Sequence, residues 1–391
     1  MVDLADPDLY TSSDRHRRWD EWASADAVTW TGPGHTPAGF WSVFSHRSCA
    51  KVLGPKAPFT SERGMMLGFD AQHPDHAGGK MIVVTDGEWH HHLRRMIGPF
   101  LSRLKADTLA EFVRREADEL LDKITGPGPV ELARNVGPRL PAAVVCEILG
   151  IPAEDREFLI ALTRDAFGET AAGGNAMSAG EAHGEIMLYF EDLIEYRRHT
   201  PGDDLLSALL ADEQMTDEDV LINCDNVVVG GNETTRHSIT AALHAVAVTP
   251  GLLDSLAQDP GLIPVAVDEV VRWSSPAMHV LRVATADIEI GDKVIRKDDA
   301  VAVWLASANR DPVKHERPHE VRLDRPAGKH LGFGHGAHHC LGAAMTRLEL
   351  QSLFEVMVKR IRDVAVAAEP QWLRSNIIQG YRELKVDLSW K

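Results

Sequence analysis

Apolar and polar residues alternate in two short parts of this 391-residue chain and follow a helical period in most of the remainder. Alternation around a Gly/Pro-rich turn predicts a small β-hairpin over residues 27–53, and a second strand-rich patch is expected at about 282–304. From about 88 to 274 the period is helical, and one more long helix precedes a β-like tail that ends near Trp390. The pattern therefore predicts a fold that is mainly α with small β-sheets.

The longest predicted helix runs from about residue 217 to residue 249. Thr216 can cap it, acidic residues fill its first turn, and Pro250 stops it. Gly230 and Gly231 stand in its middle, where each glycine costs about 1 kcal/mol relative to alanine. We therefore expect a flat or bulky group to approach the helix backbone closely at these glycines.

The residues after this glycine pair can disturb the helix. The hydroxyl of a helical threonine can bond the carbonyl four residues back, which for Thr234 is the carbonyl of Gly230, and can open the helix locally. A groove formed in this way could hold dioxygen and water. The alternative is a helix kink that carries no chemistry.

No Pro/Gly/Ser-rich linker, low-complexity run or internal repeat interrupts the chain, of which 44% is hydrophobic. Although length alone would allow two or three domains, we expect one domain over residues 1–391. Residues 1–20 are polar and charged, without an apolar run suited to a signal peptide or membrane anchor. The cysteines show no paired spacing, which favours a reducing cytoplasm; they are Cys49, Cys146, Cys224 and Cys340.

The formal net charge of −17 argues against nucleic acid as a partner. No dinucleotide-binding glycine motif follows a strand-like run, and no Walker-type loop is present. If the chain catalyses a redox reaction, its electrons must therefore come from another protein.

The strongest chemical signal is the glycine-punctuated segment 333–342, which carries Cys340 near its end and is followed by a helical pattern. A cysteine at the mouth of a helix has backbone N–H groups aimed at it, which stabilise its thiolate form. A thiolate in a loop free of large side chains can ligate a flat metal macrocycle. The alternative is a buried cysteine in a glycine turn.

Glu269 and Arg272 stand three residues apart in a helical segment, so their side chains share one face. An exposed pair of this kind contributes less than about 1 kcal/mol. Here Val267, Val270 and Val271 surround the pair with apolar surface, which favours a buried ion pair.

Three consecutive histidines, His90 to His92, open another predicted helix, where His90 and Arg94 share a face at a spacing of four residues. Consecutive residues do not converge on one ion, so no zinc site is expected there. Each basic side chain could also be simply solvated.

As a set these segments resemble the cytochrome P450 monooxygenases. The cysteine loop matches Phe-Gly-x-Gly-x-His-x-Cys-x-Gly at every fixed position, and residues 230–234 match the oxygen-activation motif (Ala/Gly)-Gly-x-(Asp/Glu)-Thr. Glu269 and Arg272 match the family's Glu-x-x-Arg, and His90 and Arg94 match its His-x-x-x-Arg. The motifs occur in family order over about residues 86–381.

The resemblance implies a single-domain P450 fold with haem b bound through Cys340 and dioxygen as co-substrate. Phe333 would lie against the proximal side of the haem, next to the tight turn of Gly334 and Gly336. Thr234 would hydrogen-bond dioxygen, and Glu233 would relay protons from solvent, since a carboxylate beside a hydroxyl suits general-acid work.

The resemblance also assigns structural and cofactor contacts. Arg325 would close the Glu269–Arg272 pair and lock the proximal core. The haem propionates would be held by four side chains, although Gly87 and Glu88 replace the prolines that usually precede the first of them. The predicted cofactor contacts are His90, Arg94, Gly230, Gly231, Arg282, Phe333, His338 and Cys340.

A substrate wall is expected by resemblance from four segments of the chain: about 63–75, 277–280, the face of the long helix near Asn226, and 377–378. Such pockets are mainly apolar with a few placed polar groups, although the same residues could be plain core. The predicted contacts are Met65, Met66, Phe69, His73, Asn226, Val229, Met278, His279, Val280, Ile377 and Ile378.

The motifs are similar to those of actinobacterial enzymes of secondary metabolism and antibiotic biosynthesis. We therefore expect hydroxylation of a small natural-product precursor, such as a carrier-bound amino acid, with electrons from a ferredoxin and an NAD(P)H ferredoxin reductase. Oxidative coupling of aromatic rings or of cyclic dipeptides is the alternative reaction. A non-catalytic haem or metal-binding sensor built on His335, His338, His339 and Cys340 is the alternative of another class.

Overall fold

The computed structural model describes residues 2–12, 15–68, 75–102, 106–124, 128–166, 177–326 and 328–391. Helices dominate the predicted helical region, and among its described residues only the two-residue strand Val130–Glu131 interrupts them. The α-helices of the described chain are α1 (Arg15–Ser24), α2 (His46–Val52), α3 (Gly87–Leu101), α4 (Ala106–Asp122), α5 (Leu132–Asn135), α6 (Arg139–Leu149), α7 (Arg156–Ala166), α8 (Ala179–His199), α9 (Leu205–Leu210), α10 (Asp217–Val248), α11 (Leu252–Gln258), α12 (Ile263–Ser274), α13 (Leu305–Ala308) and α14 (Ala343–Arg360).

The strands form small sheets at the edges of this helical body. A five-stranded sheet has the order β1-β2-β8-β5-β3, a three-stranded sheet has the order β4-β12-β9, and β6-β7 and β10-β11 are separate pairs. The predicted strand-rich patch and the β-like tail are both present. The strands are β1 (Val28–Thr31), β2 (Phe40–Val43), β3 (Phe59–Thr60), β4 (Val130–Glu131), β5 (Val280–Ala284), β6 (Ile288–Ile290), β7 (Lys293–Ile295), β8 (Ala300–Val303), β9 (Ile361–Val366), β10 (Gln371–Trp372), β11 (Tyr381–Glu383) and β12 (Lys385–Trp390).

The predicted N-terminal hairpin exists but ends earlier than residue 53. β1 and β2 pair antiparallel, from Val28 opposite Val43 to Thr31 opposite Phe40. Directly afterwards the hydroxyl of Ser45 accepts a hydrogen bond from the backbone N–H of Ser48 and caps α2. The prediction of a hairpin as far as residue 53 is therefore wrong for its last part, because a capped helix follows Val43 almost at once.

Helix α10 crosses the centre of the protein, as its predicted length required. Thr216 and Asp219 form a reciprocal capping box at its start. Every residue from Ile239 to Val246 is buried, and α6, α8, α12 and α14 all pack against it. The helix therefore fixes the relative positions of the glycine pair, the Glu269 helix and the helix that follows the cysteine loop.

Within the described residues, no single helix is long and apolar enough to cross a membrane. Only α10 and α11 taken together meet that test of length and composition, and they are bent by 98° at the break between them.

Candidate active site

A cavity of about 780 Å³ lies between α10 and the cysteine loop. Most of the side chains around it are apolar, and they come from α3, α6, α8, α10, α14, the loop before α3 and the C-terminal segment near residue 377. The cavity brings together every predicted cofactor contact, although these residues span 250 positions of the chain. They are His90, Arg94, Gly230, Gly231, Arg282, Phe333, His338 and Cys340.

The cysteine loop is held in a tight turn. The backbone N–H of Cys340 donates to the carbonyl of Phe333 over 2.8 Å. Gly334 and Gly336 have φ values of +69° and +73°, in the left-handed region that favours glycine. At Gly336 any Cβ would also clash with the carbonyl oxygen of Leu53. The loop thus presents Cys340 to the cavity.

The thiol of Cys340 is less acidic than a helix N-terminus alone would make it. Burial raises its pKa, and the N–H groups of Gly342 and Ala343, with the guanidinium groups of Arg94 and Arg347, only partly offset this effect. The expected N–H donors are therefore present and favour the thiolate, but they do not outweigh the effect of burial on the pKa. A bound metal cation would supply the missing stabilisation, because a coordinating thiol loses its proton outright.

Two arginines, Arg94 and Arg282, line the cavity without a paired carboxylate among the described residues. Arg282 is buried, its Nη1 donates to the carbonyl of Leu281, and no carboxylate among the described residues pairs with it. Burial lowers its pKa to about 10. Arg94 donates to the carbonyl of His339 over 3.0 Å. A buried cation without a counter-ion is costly, so this wall of the cavity is suited to an anionic ligand.

Asp86 is a member of this site that the sequence motifs did not reveal. It precedes α3 but does not cap it; its carboxylate instead accepts hydrogen bonds from Thr60, Ser61 and His338, the last over 2.8 Å. Although burial raises the pKa of Asp86, these hydrogen bonds hold it well below its usual range. Asp86 thereby fixes the orientation of the His338 ring. No local sequence signal marks this contact, because Asp86 and His338 are 252 residues apart.

His90 does not carry the positive charge that the resemblance predicts for a propionate contact. Its ring stacks on His338 with 4.2 Å between the centroids, and its Nε2 is buried with no hydrogen-bond partner among the described residues. Burial and the nearby His338 and Arg94 lower the pKa of His90 to about 4. In the absence of an anion this imidazole is neutral near pH 7 and offers an N–H donor rather than a charge.

Helix α10 has the predicted local contact at its centre. The hydroxyl of Thr234 donates to the carbonyl of Gly230 over 2.9 Å, and the space on the side-chain side of Gly230 is open. At Gly231 an added Cβ would lie 2.8 Å from Cγ2 of Val145. Gly230 therefore leaves room for the expected close approach of a flat group. Gly231 has to be small for another reason, because Val145 of α6 packs against it.

Glu233 is placed differently from the predicted relay. Its carboxylate is fully buried, pairs with Arg236 and lies 3.4 Å from Nε2 of His237, and it is not part of the cavity wall. Burial raises its pKa, but the charge of Arg236 and the contact with His237 hold it below the usual range. A proton relay from solvent through Glu233 stays a prediction, and it requires the carboxylate to leave Arg236.

The Glu269–Arg272 pair is buried, and Arg325 joins it. Arg272 donates to both carboxylate oxygens of Glu269 over 2.8 Å each, and Arg325 donates to Oε1 over 2.8 Å. The remaining N–H groups of Arg272 reach the backbone carbonyls of Asn309, Pro318 and Glu320. The network ties α12 to the segment that leads into the cysteine loop, which is the geometry of the predicted structural role.

Most of the predicted substrate wall faces the cavity, namely Met65, Met66, Asn226, Val229, His279, Val280, Ile377 and Ile378. Met278 does not; it is fully buried in a separate cluster with Tyr10 and Trp304. The assignment of Met278 to the wall was wrong, because its side chain packs within that cluster and does not line the cavity. Phe69 and His73 lie outside the described residues.

Glu349 on α14 is a second member that the sequence reasoning missed. It lines the cavity, its side chain is buried, and Oε2 has no hydrogen-bond partner among the described residues. Burial raises the pKa of its carboxyl to about 8, so it is protonated at neutral pH. Nothing in the sequence distinguishes it from Glu355, the other glutamate of the same helix.

Glu349→Gln is expected to make the free energy of unfolding less dependent on pH. Because the folded-state pKa is above the unfolded value of 4.5, the wild-type protein loses stability as the pH rises between these values. The variant should gain about 3 kcal/mol over wild type at pH 7 and little at pH 4.5. Urea unfolding at several pH values measures this, with the exposed Glu355→Gln as control; an equal difference at all pH values would contradict it.

The sensor alternative lacks a metal-binding geometry. Across the described residues, no group of three or more His, Cys, Asp or Glu side chains is placed to hold a metal ion. His338 is engaged by Asp86, and the side chains of the loop do not converge. Of the residues proposed for such a sensor, His338 and Cys340 line the cavity, and His338 is already held by Asp86.

Comparison with known proteins decides the family. The family profile Cytochrome P450 matches residues 261–364. The chain is 31% identical to Cytochrome P450 NovI of Streptomyces niveus, over 100% of this chain and 97% of that protein. The chain belongs to the cytochrome P450 family. This P450 is a monooxygenase that uses haem b and dioxygen, and the predicted fold is confirmed.

Two solved structures extend the comparison. P450 OxyD, which is involved in the biosynthesis of vancomycin-type antibiotics, is 51% identical and covers 100% of both chains with a TM-score of 0.95. P450BioI, solved in complex with an acyl carrier protein ligated to hexadec-9Z-enoic acid, is 25% identical, with a TM-score of 0.84 over 96% of this chain and 98% of that one.

The residues present fit haem b. The cavity has a thiol on one side and open space beside Gly230 on the other. Its uncompensated Arg282 and the unpartnered Nε2 of His90 suit the two propionate groups of the macrocycle. The fit thus rests on polar groups that have no adequate partner within the described chain.

Proposed function

We propose that this P450 hydroxylates an aminoacyl group bound to a carrier protein, in the biosynthesis of a natural product. The observation that carries the proposal is the length of the cavity along α10, whose lining residues run from Glu218 to Ser238. Between Glu218 and Thr234 the helix rises about 24 Å. From its reactive β-carbon beside Thr234 to the thioester sulfur, an aminoacyl group spans only about 4 Å, at 3.8 Å for every three bonds. The remaining length suits a flexible arm.

Two structural relatives support this proposal. OxyD takes part in the biosynthesis of vancomycin-type antibiotics, and it covers the whole of this chain. P450BioI holds an acyl carrier protein, so the same fold can receive a substrate on such a carrier. The mainly apolar cavity wall with a few polar groups suits an amino acid and the arm that follows it.

The residues of the cavity take the following roles in the proposal. Cys340 would ligate the haem iron, while Arg94, Arg282, His90 and His338 would hold the propionates. When bound, the haem supplies the activation of dioxygen, which a thiolate ligand favours. The Thr234 hydroxyl, at the open side of Gly230, would hold a proton next to the oxygen-binding groove.

Bacterial P450s depend on redox partners. We propose a ferredoxin and an NAD(P)H ferredoxin reductase for this chain, since its sequence contains no nucleotide-binding glycine motif. The expected absence of nucleic acid as a partner follows from the net charge of −17.

Oxidative coupling of a cyclic dipeptide is the competing reaction. A cyclic dipeptide is a compact ring system without an arm, so it would leave the part of the cavity between Glu218 and Asn226 unfilled. Product analysis separates the two reactions, because hydroxylation adds an oxygen atom to the substrate and coupling does not.

The test is an optical titration of the purified protein with aminoacyl carrier proteins, free aromatic amino acids and cyclic dipeptides. A substrate that displaces water from the iron shifts its spin state and moves the main absorption band. We expect a saturable shift with one aminoacyl carrier protein and none with the same amino acid alone. A shift with cyclic dipeptides instead, in protein with an intact haem-thiolate spectrum, would overturn the proposal.

Thr234→Ala is expected to uncouple reductant use from product formation, because the hydroxyl that holds a proton at the groove is lost. NAD(P)H consumption should continue while the product formed per NAD(P)H falls at least several-fold and hydrogen peroxide appears. Thr234→Ser keeps the hydroxyl and is the matched control. Full coupling in the alanine variant would show that protons reach the site by another route.

A further inference from the structure

A polar pair stands in the apolar outer part of the cavity. Nδ1 of His183 on α8 lies 2.9 Å from Oδ1 and 3.1 Å from Oδ2 of Asp225 on α10, and both residues line the cavity. The Asp225 side chain is 3% exposed, and the apolar side chains of Ile148, Met187 and Ile222 line the same cavity. An ion pair in such surroundings costs desolvation energy that a hydrophobic pair would not.

The pair has unused hydrogen-bonding capacity that faces the cavity region. The hydrogen bond to Asp225 raises the pKa of His183, so both ring nitrogens carry protons over a wider pH range. Nδ1 is taken by Asp225, while Nε2 has no hydrogen-bond partner among the described residues. The His183 side chain is 37% exposed. It can therefore donate to a carbonyl or hydroxyl oxygen that passes beside it.

The distance from Thr234 decides which part of a substrate reaches the pair. Asp225 precedes Thr234 by nine residues, which places it about 13 Å away along the axis of α10. An aminoacyl group at the reaction site ends well short of that distance. In an extended carrier arm the first amide lies about 9 Å, and the second about 14 Å, from the β-carbon, at 3.8 Å per three bonds.

We propose that His183 and Asp225 bind the outer part of a phosphopantetheine arm, at and beyond its second amide, and so determine specificity for carrier-bound substrates. This inference rests on the proposed function. His183 donates from Nε2 to an arm oxygen, and Asp225 fixes the ring that does so. The pair would thereby recognise the carrier's prosthetic arm rather than the amino acid.

The test compares two thioesters of the aminoacyl group that gives the largest shift in the carrier panel. One is the pantetheine thioester, which contains both amides; the other is the N-acetylcysteamine thioester, which contains only the first. For His183→Phe and Asp225→Asn we expect roughly ten-fold weaker binding of the pantetheine thioester, and less than about two-fold change for the shorter one. His183→Gln, which keeps a donor, should recover part of the affinity.

His199→Phe is the matched control, because His199 also lies on α8 beside a carboxylate, Glu195, but both side chains are exposed. An intact haem-thiolate spectrum shows that each variant is folded. Equal losses for both thioesters, or no loss for either, would overturn the assignment. If the wild-type protein binds no pantetheine thioester, the carrier-bound substrate is wrong, and this inference falls with it.

Discussion

Cys340→Ser is expected to abolish the haem-thiolate absorption band of the reduced carbon monoxide complex and all monooxygenase activity. Cys340 is the cysteine that lines the cavity between the loop and α10, and serine provides no thiolate to the iron. The measurement is the reduced carbon monoxide difference spectrum of purified protein, together with haem content. The expected loss is complete rather than partial, since no other described cysteine lines the cavity.

Cys146→Ala is the matched control for that variant. Cys146 is buried in α6, burial raises the pKa of its thiol to about 12, and it does not line the cavity. Its replacement should leave the band unchanged. An unchanged band in Cys340→Ser would assign the axial ligand to another residue.

Glu269→Gln is expected to destabilise the folded protein by about 3–5 kcal/mol, the cost of leaving a buried charge without its partner. Two guanidinium groups, those of Arg272 and Arg325, converge on this carboxylate, so one substitution removes the counter-charge of both. Urea unfolding of the haem-loaded protein measures the effect, and a low yield of haem-loaded protein on expression should accompany it.

The matched control is Glu316→Gln. Glu316 is also near Arg317 and Arg322, but its side chain is 80% exposed. Exposed pairs contribute less than about 1 kcal/mol, so this variant should resemble wild type. A similar small effect for Glu269→Gln would show that the network does not hold the proximal core together.

The sequence was sufficient to predict the structure wherever a short motif determines the local backbone conformation. Glycines at 334 and 336 require left-handed φ values, and the spacing of Glu269 and Arg272 places both on one helical face. Such features depend on neighbouring positions only, so a pattern of a few residues predicts them. The same holds for α10, whose cap, stop and glycine pair are all local signals.

Contacts between distant parts of the chain were harder to predict. Asp86 and His338 are 252 residues apart, and nothing near Asp86 indicates that its carboxylate turns from α3 to the cysteine loop. The direction of a side chain round a helix or strand was also uncertain, which explains the error at Met278 and the buried position of Glu233. In each case the packing partner, not the local pattern, decides the orientation.

The uncompensated charge of Arg282 and the unpartnered Nε2 of His90 affect how stable the folded protein is before any substrate binds. A chain without its cofactor retains a buried positive charge, and the carboxylates of the cofactor relieve that cost when they bind. Any ligand that binds only the native form shifts the folding equilibrium towards it. Cofactor supply in the producing cell would therefore set how much of the newly made chain survives as folded enzyme.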